Sequence, residues 1–437
     1  MRLRTSDLAA AVDGELIGPD VEFDGAAIDS RVLRPGQLFV PIVAERDGHD
    51  FVAAALRAGA AAYLASDRSV VAAHGGTAVV VASTLAALQA GGHLARTRLP
   101  DPVVGITGSV GKTSVKDLLA AVLGQHRRTA ASERSFNNEM GVPLTLLGAP
   151  DGTEAVVVEM GARDVGHIAA LCEIAEPTVG VVTRVAAVHT EVFGTIEDVA
   201  RAKAELVREL PADGVAVLNA DDERVAAMAA ATRARVLTFG AAGEVRAEDV
   251  RLDHELRAAF RLRTPWGDAD VELGSRGRHQ VDNALAAAAA ALACGSTLDH
   301  VRAGLAEAVL SPWRMELATA PSGALVLNDA YNANPTSVAA ALHSLVALPA
   351  ERFTAVLGVM AELGPTSDEE HAAIGALAQQ LGARLVAVDA PAYGGEQVRT
   401  IEEALALLEP LGPGDAVLVK GSRVAGLERL AELLLDE

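Results

Sequence analysis

Val103-Val-Gly-Ile-Thr-Gly-Ser-Val-Gly-Lys-Thr-Ser-Val-Lys116 is the stretch on which the reading of this chain turns. Its first five residues form a short apolar run that predicts a buried strand, and Pro100 and Pro102 just ahead of it mark a boundary. Gly105, Gly108 and Gly111 let backbone N–H groups approach an anion, and from Lys112 onward the pattern reads as the first turns of a helix, whose N-terminus favours negative charge. Strand, glycine loop, Gly-Lys-Thr and helix in this order predict a phosphate loop. Gly108, Ser109, Val110, Gly111 and Ser114 would surround the phosphates of a nucleotide, Lys112 would meet their charge, and Thr113 would face Mg²⁺. The spacing departs from the common pattern, whose first glycine would fall on Ile106. Kinases, transport ATPases, switches and ligases all use such a loop, so it fixes a ligand class and not a reaction.

Outward from this loop, apolar runs alternate with Ala/Leu-rich helical patterns, which predicts an α/β protein with largely parallel sheets. Strands are expected at Val103–Thr107, Ala155–Glu159, Thr178–Thr183 and Val215–Asn219, then at Ala324–Asn328, Thr354–Val359, Arg384–Asp389 and Asp415–Lys420. Residues 245–274, with the turn Pro265-Trp-Gly-Asp268, interrupt the alternation as an antiparallel appendage. Boundaries near residue 100 and at Ser311-Pro312 divide the chain into 1–100, a small α/β domain, 101–311, the nucleotide domain, and 312–437, a further α/β domain. A length of 437 residues accommodates three domains of ordinary size.

Charge narrows the function classes. With 37 basic against 58 acidic residues the formal charge is −21, which argues against a general nucleic-acid binder. The longest apolar run, Ala284 to Cys294, is about half of the roughly 20 residues that a membrane span requires. Asp7, Asp13 and Glu15 interrupt any signal-like segment behind Arg2 and Arg4, so a cytoplasmic protein is expected. Cys172 and Cys294 lie in Ala/Leu-rich surroundings without metal-type spacing, which predicts buried free thiols. No coiled-coil pattern asks for an oligomer, and a monomer is expected.

Three residues beyond the loop carry chemistry. Glu159 ends the second strand of the nucleotide domain, where a carboxylate can hold Mg²⁺ opposite Thr113, and His189 follows the third. Lys203 stands on a helical segment. Only four residues are lysine, Lys112, Lys116, Lys203 and Lys420, against 33 arginines. Lysine is therefore expected where a compact amine, open to neutralisation or modification, is required and guanidinium cannot substitute.

These residues resemble the Mur ligase superfamily, ATP-dependent enzymes that extend the peptide of peptidoglycan precursors, and the resemblance runs through the whole chain. Its N-terminal part is Asp29-Ser-Arg31, Pro35-Gly-Gln-Leu-Phe-Val-Pro41 and Asp47-Gly-His-Asp-Phe-Val52. The middle supplies Thr107–Thr113, Asn137-Asn138, Glu159-Met-Gly161, His189, Lys203-Ala-Glu-Leu206, Gly277-Arg-His-Gln-Val-Asp-Asn283 and Ser311-Pro-Trp-Arg-Met-Glu316. Asn328-Asp-Ala-Tyr-Asn-Ala-Asn-Pro335, Ala361-Glu-Leu-Gly364, His371 and Val419-Lys-Gly-Ser-Arg423 complete it. Gly358-Val-Met360 and Gly166-His-Ile168 depart from the family's usual Gly-Asp-Met and Gly-Glu-Ile.

The resemblance implies a three-domain architecture: an N-terminal domain for the UDP-sugar peptide, a central ATPase-type domain with a parallel sheet, and a C-terminal Rossmann-like domain that closes on ATP. It also implies a reaction in which a carboxylate takes the γ-phosphoryl group of ATP and an amine displaces phosphate. The Asn328–Pro335 and Asp47–Phe51 strings favour UDP-MurNAc-tripeptide and D-alanyl-D-alanine as the substrates. By the same resemblance Lys112, Glu159, His189, Lys203 and Arg314 are catalytic, and Thr113, Glu159, His189 and a carbamylated Lys203 are Mg²⁺ ligands. Asn283 would face adenine, Arg314 the γ-phosphate, and Asp329, Tyr331 and Asn332 the ribose region. Asp29, Ser30, Arg31, Asn137 and Asn138 would bind the sugar peptide, and Lys420 and Arg423 the dipeptide carboxylate. A paralogous ligase with a different acid or amine, and a nucleotide-regulated binding module without chemistry, remain as alternatives.

Overall fold

In the computed structural model the described residues are 1–133, 135–186, 194–408 and 410–436. The phosphate-loop strand Val103–Thr107 lies inside a six-stranded parallel sheet, and the order across that sheet positions the site. Ala155–Glu159 and then Thr129–Ala131 lie on one side of it; Val179–Val182, Val215–Asn219 and Arg235–Phe239 lie on the other. Strand order therefore reverses direction at Val103–Thr107. In an open parallel sheet the carboxyl ends beside such a reversal form a crevice where ligands bind. Glu159 pairs in register with Ile106, and Val182 with Thr107, so the loop, Glu159 and Thr183 emerge side by side at that edge.

The strands are short and apolar on both faces because helices cover both. One face receives the phosphate helix Lys112–Gly124 and the alanine-rich helix Gln280–Ala293, whose small side chains admit close packing. The appendage is the antiparallel set Arg246–Leu252, Arg257–Thr264 and Gly267–Arg276. Both thiols are buried, as expected.

The C-terminal sheet has the order Glu316–Thr319, Leu325–Asn328, Asp415–Lys420, Arg352–Leu357, Arg384–Val388, Glu396–Val398, parallel apart from the first hairpin. Asn328 and Lys420 stand at adjacent strand ends in this sheet, and both it and the central sheet turn such ends toward one cleft. The N-terminal residues form a five-stranded mixed sheet and a small two-stranded one. No helix among the described residues is long and apolar enough to cross a membrane. The edge strands Thr129–Ala131, Arg235–Phe239, Glu316–Thr319 and Glu396–Val398 were not among those expected from the sequence. Most of these edges are too short, or too mixed in polarity, to show a period.

Candidate active site

A cavity of about 970 Å³ separates the central sheet from the C-terminal one, and the phosphate loop forms its floor. Gly108 has φ +148°, and a Cβ there would lie 1.9 Å from Thr183 Oγ1. Gly111 has φ +87° and starts the helix; a Cβ on it would lie 2.4 Å from Asn283 Oδ1. Only glycine fits either place. No side chain caps the helix Lys112–Gly124, so its first-turn N–H groups face the cleft. Lys112 Nζ donates to Gly108 O at 2.8 Å, bending over the loop. Burial, opposed by Glu159 and reinforced by Arg314, lowers its pKa.

The carboxylate expected opposite Thr113 is there. Thr113 Oγ1 donates to Glu159 Oε2 at 2.7 Å, and Asn137 Nδ2 donates to Glu159 Oε1 at 2.8 Å. The Glu159 N–H is itself held by Ser132 Oγ at 3.1 Å, which fixes the strand end that carries the acid.

Lys203 enters from the helix Ile196–Arg208, which a Thr195/Asp198 capping box starts. Its side chain is 3% exposed and makes no hydrogen bond to the described residues. Burial, with the nearby Lys112 charge, pushes its pKa down to about 7, against a smaller upward pull from Glu205. Two residues on, Glu205 accepts from Gly166 N at 2.5 Å and Ala169 N at 3.0 Å, capping the helix His167–Ala175. Leu206 fills the space beneath Gly105 and Gly180. The Lys-Ala-Glu-Leu string thus places an amine in the cleft, a cap beside it and an apolar wedge below.

From the C-terminal side, Arg314 lies 4.3 Å over the ring of Tyr331, and its buried Nε has no hydrogen-bond partner. Tyr331 Oη donates to Ser135 Oγ at 2.6 Å, joining the two sides. Asn283, Asp329 and Asn332 line the same cavity, as does Asn138.

Several of the expected residues are engaged in contacts of their own or lie away from the cleft, and one lies outside the described residues. Ser109 is not a free donor in the loop: its N–H bonds Arg184 O at 2.7 Å, and its hydroxyl is tied to Ala186 at 3.0 and 3.1 Å. Lys420 is 2% exposed and lines the cavity, where it forms an ion pair with Asp329 and donates to Asn332 O at 2.8 Å, so its charge holds the turn that carries those two residues. Arg423 pairs with Glu428, stacks 4.4 Å from the Trp313 ring and does not line the cleft. Asp29, Ser30 and Arg31 also lie outside its lining, with Arg31 Nε 2.9 Å from Asp29 Oδ1. His189 falls outside the described residues.

Sequence reading missed Gln89 and His93, which the N-terminal helix Thr84–Arg96 brings to the cavity, and Ser135 and Thr183. Gly91-Gly92 was the available signal: a Cβ on Gly92 would lie 2.4 Å from Pro143, so this helix presses on the central unit.

Known proteins share this fold. Residues 106–291 match the family described as Mur ligase middle domain, and residues 313–423 match the Mur ligase, glutamate ligase domain. The UDP-N-acetylmuramoyl-tripeptide–D-alanyl-D-alanine ligase of Mycobacterium tuberculosis is 41% identical, covering 94% of this chain and 91% of its own length. Its namesake from Escherichia coli is 35% identical over 99% and 98%. Among solved structures, MurF from Acinetobacter baumannii superposes with a TM-score of 0.90 at 31% identity, covering 100% of this chain and 99% of that one. MurF from Thermotoga maritima in complex with ADP gives 0.83 at 29% identity, over 94% and 97%.

Proposed function

The chain belongs to the Mur ligase family, and from that premise we infer how the cleft works. It is an ATP-dependent ligase that joins D-alanyl-D-alanine to UDP-N-acetylmuramoyl-tripeptide in peptidoglycan synthesis. What supports a catalytic reading of the cleft most directly is the meeting of Lys112, the Thr113–Glu159 pair and Lys203 with Arg314 from the opposite wall. We assign residues 1–100 to the sugar-peptide substrate, 101–311 to ATP and 312–437 to closure and the dipeptide.

Two anions must meet in the first step. A terminal carboxylate oxygen of the tripeptide bonds to the γ-phosphorus, and the bond to ADP breaks. Lys112, the helix N-terminus and Arg314 would offset the charge on the phosphoryl oxygens. In the second step the dipeptide amine adds to the acyl carbon; the C–O bond breaks, phosphate leaves with the electron pair, and the amine loses a proton. Closure of the C-terminal unit would keep water from the acyl phosphate. Asn283 would contact adenine, and Asp329, Tyr331 and Asn332 the ribose side; Asn137 and Asn138 would meet the sugar peptide.

Thr113 Oγ1 and Glu159 Oε2, hard oxygen donors 2.7 Å apart beside the loop, suit Mg²⁺. When bound, the ion would screen the phosphoryl oxygens from the incoming carboxylate. With a pKa of about 7, a substantial fraction of Lys203 is a neutral amine at neutral pH. Such an amine adds to CO₂, forming an N–C bond and releasing a proton, which yields an oxygen ligand that arginine cannot supply. The family resemblance adds His189 to this set. The test is an assay of the purified protein with UDP-MurNAc-tripeptide, D-Ala-D-Ala, ATP and Mg²⁺. Pentapeptide and dipeptide-dependent phosphate release are expected, and a folded protein yielding neither overturns the assignment.

A further inference from the structure

One of the four lysines, Lys116, has no place in the reaction just described, yet it is 3% exposed. It lies one turn beyond Lys112 on the phosphate helix. Its Nζ donates to Ser132 O at 2.8 Å and pairs with Asp117 Oδ1 at 2.9 Å. Ser132 is the residue whose hydroxyl holds the Glu159 N–H. The other oxygen of Asp117 accepts from Ser311 N at 2.7 Å, and Ser311 begins the segment that crosses to the C-terminal unit and carries Arg314.

That segment has little freedom. Trp313 at φ +61° and Met315 at φ +52° bracket Arg314 in left-handed conformations that bulky residues seldom adopt. Beyond them Met315 N donates to Asp329 Oδ1 at 3.1 Å, and Tyr331 N donates to Trp313 O at 3.2 Å. The crossing chain is thus pinned by one carboxylate on the phosphate helix and another on the far unit. With both ends held and the middle stiff, the place of the Arg314 guanidinium relative to the phosphate loop follows from where Asp117 holds Ser311.

We propose that Asp117, neutralised by Lys116, is a positioning residue that sets Arg314 against the transferring phosphoryl group by anchoring the crossing segment to the phosphate helix. This rests on the reading that Arg314 meets the γ-phosphate. Neither Lys116 nor Asp117 lines the cleft. A carboxylate suits the position because it both accepts the Ser311 N–H and pairs with the buried ammonium, whereas an amide oxygen would do only the first.

A double-mutant cycle in the full-length enzyme tests this. Asp117→Ala is expected to lower kcat about tenfold with KM for ATP nearly unchanged, because the phosphate loop is intact. Asp117→Asn, which keeps the acceptor for Ser311, is expected to restore most of that loss. Arg314→Ala is expected to cost more than either, and adding Asp117→Ala to it should change kcat less than about twofold, since the anchor then has nothing to position. If Arg314→Ala is severe while Asp117→Ala is silent, or if the two effects multiply, the anchor proposal fails alone. If Arg314→Ala is itself silent, the phosphate reading of Arg314 fails. Should Asp117→Ala not fold, Asp117→Asn and Lys116→Met carry the same cycle, and multiplicative losses in them overturn the proposal.

Discussion

The central unit meets its two neighbours in opposite ways. Toward the N-terminal unit, Leu3, Leu8, Leu38, Leu64, Leu88 and Leu99 share one buried cluster with Val103, Val142, Leu147, Val156 and Ile168. Gly91 and Gly92 remove side chains where the helix Thr84–Arg96 crosses Pro143 and Leu147. Arg96 fastens the seam: its guanidinium donates to the carbonyls of Ala175, Leu99 and Glu176 at 2.8, 3.0 and 3.1 Å and to Asp101 at 2.7 Å. Toward the C-terminal unit each side keeps its own core, with Leu256 of the appendage reaching across to Met315, and the rest of the joint is polar and open to the cavity. Parting the first joint would expose several leucines at about 1.5–3 kcal/mol each, whereas water can replace the contacts of the second. One seam is sealed by apolar packing and the other is mostly polar, the contrast that the proposed closure over a nucleotide requires.

The largest effect is expected where the open joint does its chemistry. Lys203→Arg should lower turnover at least 100-fold, since guanidinium forms no carbamate, while the variant stays folded at a cost of about 2–4 kcal/mol, because the burial that depresses the lysine pKa also opposes a permanent charge. The lysine also sets a pH signature. Its folded pKa is depressed to about 7, so the neutral amine is lost as pH falls through 7, and at pH 6 in CO₂-depleted buffer activity should drop and return on adding bicarbonate. An Arg variant with wild-type turnover, or wild-type activity indifferent to bicarbonate at pH 6, refutes the carbamate.

At the sealed joint the expected loss is of stability and not of turnover. Arg96→Met leaves buried carbonyls at the ends of two helices without donors, and a cost of about 3 kcal/mol is expected in urea titration, with kcat of the folded enzyme unchanged. A variant within about 1 kcal/mol of wild type would mean that the seam is apolar packing alone, and the contrast between the two joints would weaken.

Much of this was legible before folding, and the reasons differ by residue. The phosphate loop and Glu159 are local: each is a strand end with its loop, so periodicity and glycine placement reveal them. Lys203 was found by scarcity, and the structure puts Lys116, Lys203 and Lys420 in the interior with Lys112 partly buried over the loop. Scarcity did not tell an amine kept for chemistry from one kept for architecture. Lys420 neutralises Asp329 from 91 positions away in sequence, and no local pattern records such a pairing. The engagement of Ser109 with residues 184 and 186 was hidden for the same reason, because it depends on which strand lies beside the loop. The helix that brings His93 to the cavity arrives through packing between units, and its two glycines mark close approach without saying to what.

The smallest effect offers the sharpest comparison, because the same deletion can be made at the open joint and inside a closed core. Tyr331 Oη bonds Ser135 Oγ at 2.6 Å across the cleft, and Tyr393 Oη bonds Gly358 O at 3.0 Å within the C-terminal core. Removing either hydroxyl leaves the ring, so Tyr331→Phe keeps the stack with Arg314 and Tyr393→Phe keeps the edge contact with His371. Water can reach the orphaned Ser135 hydroxyl in the cavity but not the Gly358 carbonyl. Tyr331→Phe should therefore cost less than about 0.5 kcal/mol of stability, and Tyr393→Phe about 1–2 kcal/mol. Ser135 Oγ also lies 3.4 Å from Thr113 Oγ1, so the first variant should still raise KM for ATP by about twofold to fivefold while the second leaves it alone. Equal stability losses in the two variants would show that water cannot enter the C-terminal joint, and with that the distinction between a fixed seam and an opening one would collapse.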